Sequence, residues 1–203
     1  GATFKDIIDY KFAGTRLFYS KQNNCAGQSC QYDIFMIDLA GNLNSPQLLA
    51  TFPPASALEG STYKGSFRAS PDGSRLVMLN TTIRSVAVWM WKEGAGLIEL
   101  DYICKSGSKG NCTGNGSEYR ETDPVAISHN GRWIAFFTFS DRWQRIRLYD
   151  TEDPNYVGLT IAASVPAGSY IEHACDPGVL ADWQWQRVIG DPSFLPDDSE
   201  LVF

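Results

Sequence analysis

The segment RASPDGSRLVML, residues 68–79, joins two short runs of residues through a Ser-Pro-Asp-Gly turn. Proline presets φ at the entry to a tight turn, and glycine accepts the positive φ that closes it. The residues after the turn, Leu76 to Leu79, are all apolar, as expected for a strand that packs into a core. The segment therefore predicts an antiparallel β-hairpin.

The same pattern occurs elsewhere in the chain. AISHNGRWIAF at residues 126–136 and SFLPDDSELVF at residues 193–203 repeat it, and YKFAGTRLFY at residues 10–19 is a degenerate copy. The turn positions are 59, 58 and 67 residues apart, at Gly14, Gly73, Gly131 and Asp198. Self-similarity at a period of this size is typical of repeat architectures.

The repeated unit resembles the TolB-like (WD-repeat-like) β-propeller repeat, in which a Ser-Pro-Asp-Gly turn joins the first two strands of a four-stranded blade. The resemblance covers nearly the whole chain, because each unit also carries candidate later strands. It implies an all-β propeller segment, a single domain 1–203, with three four-stranded antiparallel blades and the first hairpin of a fourth. The approximate units are 4–58, 59–118, 119–188 and the incomplete 189–203.

Closed propellers have four to eight blades, and an open sheet edge favours aggregation. We therefore expect a partial propeller that is completed by more of the same polypeptide or by another chain. Residues 105–117 are rich in Gly, Ser and Asn, which predicts an exposed loop.

The charge and hydropathy of the chain limit its partners. It has 17 basic and 23 acidic residues, a net charge of −6 at pH 7, and no basic run. This argues against nucleic acid or an anionic membrane surface as a partner. No apolar run approaches the roughly 20 residues of a membrane-spanning helix, and no signal peptide is visible.

Four of the five cysteines form two close pairs, Cys25 with Cys30 and Cys104 with Cys112, and each pair brackets a polar segment that we expect to be a loop. A zinc site is the alternative, but neither pair has the C-x-x-C spacing or a nearby histidine. We expect two local disulfides, which indicate an oxidising compartment, periplasmic or extracellular. The pairing of Cys175 stays open.

Signatures of catalysis are missing from the sequence. It has no Gly-x-Ser-x-Gly elbow, no P-loop and no dinucleotide fingerprint. His129 occupies a position of the repeated turn, which favours a structural role. The sequence predicts no cofactor and favours a non-catalytic module.

A long insertion, residues 164–187, separates the third unit from the last motif. Connections of this length are uncommon in compact domains unless they are functional or disordered, and the aromatic content argues against disorder. We expect a partner to bind there. The predicted contacts are residue types common at interfaces: Tyr170, His173, Trp183, Trp185 and Arg187.

The insertion also holds a cluster of candidate metal ligands, Glu172, His173 and Asp176. Imidazole and carboxylate suit zinc or another borderline metal. However, neighbouring residues in an extended chain point to opposite sides, so few of them converge on one ion. A disulfide at Cys175 or a plain surface loop is the favoured interpretation.

Two further groups have a functional and a structural interpretation. Trp89 and Trp91 share one face of a predicted strand, and we expect them to pack between blades and not to form a platform for sugars. The repeated acids are expected to cap turns and not to bind calcium: Asp38, Asp72, Asp150 and Asp197.

The function expected from these features is that of an exported TolB-like propeller, a protein-binding or scaffold module within a larger assembly. Propellers of this family often precede a serine peptidase domain. One alternative is therefore the non-catalytic propeller portion of a larger exported enzyme, either a serine peptidase of the prolyl-oligopeptidase type or a redox complex. Another is a lectin-like propeller that binds a sugar or another small molecule.

Overall fold

The computed structural model describes residues 6–27, 29–43, 45–57, 61, 63–82, 85–104, 106–108, 111–113, 125–140, 143–153, 159–160, 193–197 and 200–202. These residues form three four-stranded antiparallel sheets, a two-stranded sheet after them and a small separate hairpin. The predicted fold class is confirmed: three propeller blades are followed by the first hairpin of a fourth.

Blade 1 is a meander in which each strand pairs with the next one. Its strands are β1 (Ile7–Ala13), β2 (Arg16–Ala26), β3 (Ser29–Asp38) and β4 (Gln47–Phe52). A 3₁₀ turn at Ala55–Ala57 follows β4.

Blades 2 and 3 repeat the same order. Blade 2 consists of β5 (Arg68–Ala69), β6 (Arg75–Thr81), β7 (Ser85–Lys92) and β8 (Gly96–Cys104). The small hairpin follows, with β9 (Ser106–Ser108) and β10 (Asn111–Thr113). Blade 3 consists of β11 (Val125–Ile127), β12 (Trp133–Ser140), β13 (Trp143–Asp150) and β14 (Leu159–Thr160). The hairpin of the fourth unit is β15 (Ser193–Phe194) with β16 (Leu201–Val202).

The first strand of each blade lies beside the first strand of the next blade. Strand β5 contacts both β1 and β11, and β11 contacts β15. The outer strands β4 and β8 of blades 1 and 2 are also in contact. Consecutive blades therefore follow one another around a common axis, with their first strands innermost.

An apolar core lies at each boundary between consecutive blades. The blade 1–blade 2 core contains Phe18, Ile34, Phe52, Leu76, Met78 and Trp91. The blade 2–blade 3 core contains Val77, Val88, Met90, Leu100, Ile134 and Tyr149. Because alternate residues of a strand point to opposite faces, blade 2 is apolar on both sides. Full burial of each large side chain is worth about 1.5–3 kcal/mol.

The structure departs from the sequence prediction in two segments. Strands β2 and β3 continue through the polar region around Cys25 and Cys30, where the sequence predicted a loop. The predicted exposed loop 105–117 contains the β9–β10 hairpin, in which Cys112 pairs with Gly107. In both segments backbone pairing within the hairpin outweighs the low strand propensity of polar residues and glycine.

Candidate functional site

The two ends of the blades differ in what they connect. The antiparallel order places the turns between first and second strands, and between third and fourth strands, at one end. We call this the turn end. The connections between second and third strands lie at the other end, where each blade's fourth strand also ends and the next blade begins. We call this the loop end.

The repeated turn at the turn end is built by the same hydrogen bonds in blades 2 and 3. The Ser70 hydroxyl donates to Asp72 Oδ1 at 2.6 Å. The amide of Ser74 donates to the same Asp72 oxygen, and the amide of Arg75 donates to Ser70 Oγ. In blade 3, Ser128 and Asn130 make the corresponding bonds, with Oγ to Oδ1 at 2.8 Å. The side-chain oxygen of the Asp or Asn thus closes the turn.

Three of the four repeated acids, Asp38, Asp72 and Asp150, cap backbone amides, as the sequence predicted. Asp38 accepts from the amide of Ala40, and Asp150 accepts from that of Glu152. Burial acts to raise the pKa of Asp72, but the hydrogen bonds from Ser70 and Ser74 outweigh burial, and the pKa lies below its ordinary value. These carboxylates are engaged in the fold.

Arginines at the turn end link each blade to the next. Arg16 pairs with Glu93, which raises the pKa of the guanidinium, and Arg75 pairs with Glu152. Lys92 also lies 3.3 Å from Glu152. These contacts do not follow from a recognised sequence pattern, although one signal is present in the sequence: an arginine begins the second strand in both of the first two units.

A polar cluster crosses the boundary between blades 2 and 3. The buried Tyr149 hydroxyl donates to Asp101 and accepts from Arg147 Nε at 2.8 Å. Arg147 Nη2 lies 2.8 Å from Asp101 Oδ2. Burial, followed by the negative charge of Asp101, raises the pKa of Tyr149 well above its ordinary range. The three groups satisfy one another, and the cluster therefore serves the blade boundary.

At the loop end, the β2–β3 connection carries a disulfide. Cys25 and Cys30 are bonded to each other, as the sequence predicted. Residues 21–27 of this hairpin are exposed. The backbone of Cys104 and Cys112 lies in β8 and β10, but their side chains lie outside what the structure describes, so the second bridge stays a prediction.

The described residues of the crossover from blade 1 to blade 2 pack onto the loop end. Ser61 and Tyr63 are buried. The Ser61 hydroxyl donates to Asn80 Oδ1 at 2.6 Å, and Asn80 Nδ2 donates to the carbonyl of Ala57 at 2.9 Å. This connection is part of the structural core.

The predicted partner and metal residues lie in the segment after β14. Tyr170, Glu172, His173, Cys175, Asp176, Trp183, Trp185 and Arg187 lie outside the described residues. Strand β14 ends and β15 begins at the loop end. Within the described residues, no group of three His, Cys, Asp or Glu side chains is placed to hold a metal ion.

Trp89 and Trp91 lie at the boundary between blades 1 and 2, as predicted. Trp91 is buried in the core there, and Trp89 packs against it with its ring 5.9 Å from that of Phe52. Neither indole forms an open platform. In the part of the chain that the structure covers, no helix is long and apolar enough to cross a membrane.

Comparison with known proteins gives matches in structure and none in sequence. No protein-family model matches the chain, and no curated protein matches it. A dipeptidyl peptidase 4 from Porphyromonas gingivalis aligns with 98% of the chain and 29% of its own, at 12% identity and a TM-score of 0.51. A prolyl endopeptidase aligns with 79% of the chain and 23% of its own, at 9% identity and the same TM-score of 0.51.

A third similar structure is the β-propeller domain of a trilobed protease from Pyrococcus furiosus. It aligns with 80% of the chain and 43% of its own, at 14% identity and a TM-score of 0.49. The chain thus spans less than half of each of these proteins. The chain has a β-propeller fold. At this level of identity the likeness shows the fold alone, and function has to be argued from sites.

Proposed function

We propose that this chain is an exported TolB-like propeller module that binds a protein partner at its loop end, as a scaffold within a larger assembly. The observation that carries the proposal is the difference between the two ends. At the turn end, Asp72, Arg16 and Arg75 are engaged in turns and blade-to-blade contacts. The loop end contains the disulfide hairpin and the ends of the long connections. Binding residues are concentrated in loops that a rigid scaffold positions.

The proposed contact residues are those of the 164–187 insertion: Tyr170, His173, Trp183, Trp185 and Arg187. The insertion leaves the blade at β14 and the chain re-enters at β15, both at the loop end. Aromatic and arginine side chains supply much of the energy of protein interfaces. The proposal therefore predicts that this segment contributes most of the binding energy.

Export is supported by the Cys25–Cys30 disulfide, because disulfides persist in oxidising compartments and are rare in the cytosol. Intact-mass measurement of protein isolated from its native compartment, after alkylation with and without reductant, tests this. We expect four additional alkylations after reduction, two each from Cys25–Cys30 and Cys104–Cys112. Free thiols at Cys25 and Cys30 before reduction would remove the argument for export.

A second candidate is the non-catalytic propeller portion of an exported peptidase. It is favoured by the likeness in fold to a dipeptidyl peptidase 4 and a prolyl endopeptidase, of which the chain spans 29% and 23%. In this case the loop end or the insertion would contact a peptidase domain. Identification of the bound protein in the experiment below distinguishes the two candidates.

The binding experiment uses the immobilised chain and the periplasmic or secreted fraction of the source organism. Trp183→Ala with Trp185→Ala removes two proposed anchors, and Arg132→Ala at the exposed turn end is the matched control. We expect one saturable partner to be retained by the wild type and the control, and its affinity to fall at least tenfold for the double variant. Equal retention by all three, with unchanged thermal unfolding, would refute the assignment to the insertion.

A further inference from the structure

The turn of blade 3 contains an Asn-Gly pair, Asn130 and Gly131, at the position that Asp72 and Gly73 occupy in blade 2. An asparagine followed by glycine closes a five-membered imide more readily than other pairs, because glycine has no side chain to shield its backbone nitrogen. Asn130 is exposed to solvent. Among the described residues, no other asparagine precedes a glycine.

Hydrogen bonds hold both reacting groups of this pair in the folded turn. The Gly131 amide, whose nitrogen would attack, donates to the carbonyl of Ser128 at 2.9 Å. The side-chain oxygen of Asn130 accepts from the Ser128 hydroxyl at 2.8 Å and from the amide of Arg132 at 2.9 Å. The attacking nitrogen must lose its proton and turn towards the side-chain carbon, so the reaction requires a local opening of the turn.

Blade 2 shows how the product of the reaction fits the turn. Asp72, the residue equivalent to Asn130, accepts from the Ser70 hydroxyl at 2.6 Å and from the amide of Ser74 at 3.0 Å. Asn130 makes the same two bonds through Oδ1, and the amide nitrogen that conversion to aspartate removes takes part in neither. An aspartate at position 130 can therefore keep the hydrogen bonds of the turn.

The new carboxylate would also lie near a cation. Arg16 crosses the turn of blade 2 and Arg75 crosses that of blade 3, since an added Cβ on the turn glycine would lie 3.2 Å from the arginine Cδ in both cases. The first of these turns contains an acid, Asp72, and the second contains the neutral Asn130. Conversion of Asn130 would give the second blade boundary the charge arrangement of the first.

We propose that Asn130 is a self-modification site, which deamidates when the blade-3 turn opens and whose aspartate product the closed turn accepts. In the reaction, the Gly131 nitrogen loses its proton, bonds to the side-chain carbon of Asn130 and displaces the amide nitrogen as ammonia. Water then opens the imide. Breaking the new bond gives aspartate, and breaking the original peptide bond gives isoaspartate. One water is consumed, one ammonia is released, and the protein gains one negative charge.

The two products differ in what they do to the turn. Isoaspartate adds one carbon to the main chain between residues 130 and 131, so the hydrogen bonds to Ser128 and Arg132 cannot all keep their geometry. We therefore expect only the isoaspartate form to be less stable than the unmodified protein. Because this turn joins β11 and β12 at the turn end, the proposal is independent of a partner at the loop end.

The rate of conversion tests the control by the turn. The sequence has a second Asn-Gly pair at Asn115, outside the described residues, so the whole chain is prepared as Asn115→Gln. It is incubated at mildly alkaline pH, native and unfolded in guanidinium chloride, and peptide mapping by mass spectrometry follows residue 130. We expect the native protein to convert at least about tenfold more slowly, because the turn must first open. Equal rates in the native and unfolded chain would overturn the proposal.

Two serine variants separate the opening of this turn from opening elsewhere. Ser128→Ala removes the hydroxyl that bonds to Asn130 and should speed conversion in the folded protein. Ser70→Ala makes the equivalent change in the turn of blade 2 and should leave the rate at residue 130 unchanged. Circular dichroism checks that both variants fold, and the comparison of native and unfolded chain decides if one does not. A rate in Ser128→Ala no faster than in Ser70→Ala would contradict the role of the turn.

The stability of the products tests the second half of the proposal. Anion exchange separates them from the unmodified protein by their added negative charge, and fragmentation in the mass spectrometer distinguishes isoaspartate from aspartate. At neutral pH the aspartate form should have the same urea midpoint as the variant Asn130→Asp, no lower than that of the unmodified protein, and the isoaspartate form a lower one. An aspartate form with a lower midpoint than the unmodified protein overturns its acceptance by the turn. An unfolded chain that does not convert at residue 130 excludes the site.

Discussion

Arg16 in blade 1 and Glu93 in blade 2 form a bidentate ion pair across the blade boundary, with Nη1 3.0 Å from Oε2 and Nη2 2.7 Å from Oε1. Arg16 Nη1 also donates to the carbonyl of Gly73 at 3.1 Å. Arg75 repeats the contact one blade further on, with Glu152. Consecutive blades are therefore joined at the turn end by an arginine that crosses the next blade's turn.

A double-mutant cycle with Arg16→Ala and Glu93→Ala measures this pair. Because Glu93 is half exposed, we expect a coupling of only about 0.2–1 kcal/mol, as for other exposed pairs. The coupling should shrink in 1 M NaCl, where charges are screened over a few ångströms. Urea unfolding of the four proteins gives the value. A coupling that does not respond to salt would show that the two side chains interact through packing instead of charge.

Gly131→Ala tests the close approach of Arg75 to the turn of blade 3. Gly131 has a φ of +71°, and an added Cβ would lie 3.2 Å from Arg75 Cδ and 3.3 Å from Ser70 Cβ. Gly94 has a similar φ of +79° with nothing within 4 Å of an added Cβ, so Gly94→Ala carries the backbone strain alone. We expect the backbone strain in Gly94→Ala to lower the free energy of unfolding by roughly 1–2 kcal/mol. Gly131→Ala should lower it by about 1–2 kcal/mol more, because the added Cβ also crowds its neighbours.

The control for this comparison is the Arg75→Ala background, which removes the neighbouring side chain. There, the cost of Gly131→Ala should fall towards that of Gly94→Ala. Chemical denaturation of the single and double variants decides it. An unchanged cost of Gly131→Ala in that background would mean that Arg75 does not restrict this turn.

The repeated turn made the fold predictable from the sequence. Proline, Asx and glycine specify local backbone geometry, and the hydrogen bonds of Ser70 and Asp72 lie entirely within six residues. The extension of β2 and β3 around Cys25 was not predictable in the same way. Polar residues such as Gln22 and Asn23 have low strand propensity, and pairing across the hairpin determines their conformation.

The contacts between blades were still less accessible to sequence analysis. Arg16 and Glu93 are 77 residues apart, and the pairing depends on how the two blades pack. The apolar character of blade 1 had a usable signal, because residues 17–19 and 34–37 are apolar at successive positions and so make both faces of the sheet apolar. Tyr10 and Phe12 could be recognised as exposed only once the position of blade 2 was known.

Asp72→Asn should reduce the acid sensitivity of the protein. The pKa of Asp72 is below its ordinary value of 3.8 in the folded state, so its contribution to stability is present above that value and is lost as the pH falls through the folded-state pKa. Asn130 already fills the equivalent position in blade 3 with the same hydrogen bonds, so asparagine fits the turn. We expect Asp72→Asn to fold and its stability to fall less than that of the wild type between pH 6 and pH 3.

The reciprocal variant Asn130→Asp is the control, and it should gain acid sensitivity over the same range. Asp150 and Glu152 also have lowered pKa values and also make stability depend on pH. Asp72→Asn should therefore reduce the slope of stability against pH without abolishing it. Urea midpoints at several pH values give the slopes. Parallel curves for the wild type and Asp72→Asn would contradict the prediction.

Tyr149→Phe tests the polar cluster between blades 2 and 3. The hydroxyl of Tyr149 bonds to two charged partners, Asp101 and Arg147, and bonds to charged groups contribute about 1.5–3 kcal/mol. Phenylalanine keeps the ring and removes these bonds, so we expect a loss of this size at pH 7. The direct pair between Arg147 and Asp101 remains, which should keep the boundary folded.

The pH dependence distinguishes this cluster from simple packing. Burial and the charge of Asp101 raise the pKa of Tyr149 above its ordinary value of 10.0, so the folded protein retains a proton that the unfolded chain releases. The stabilisation is therefore complete below pH 10 and is lost as the pH rises above it. The stability difference between the wild type and Tyr149→Phe should shrink between pH 9 and pH 11, while Tyr63, whose pKa is also raised, affects both proteins equally. A difference that stays constant across this range would show that the hydroxyl titrates alike in the folded and unfolded chain and that Asp101 does not hold its proton.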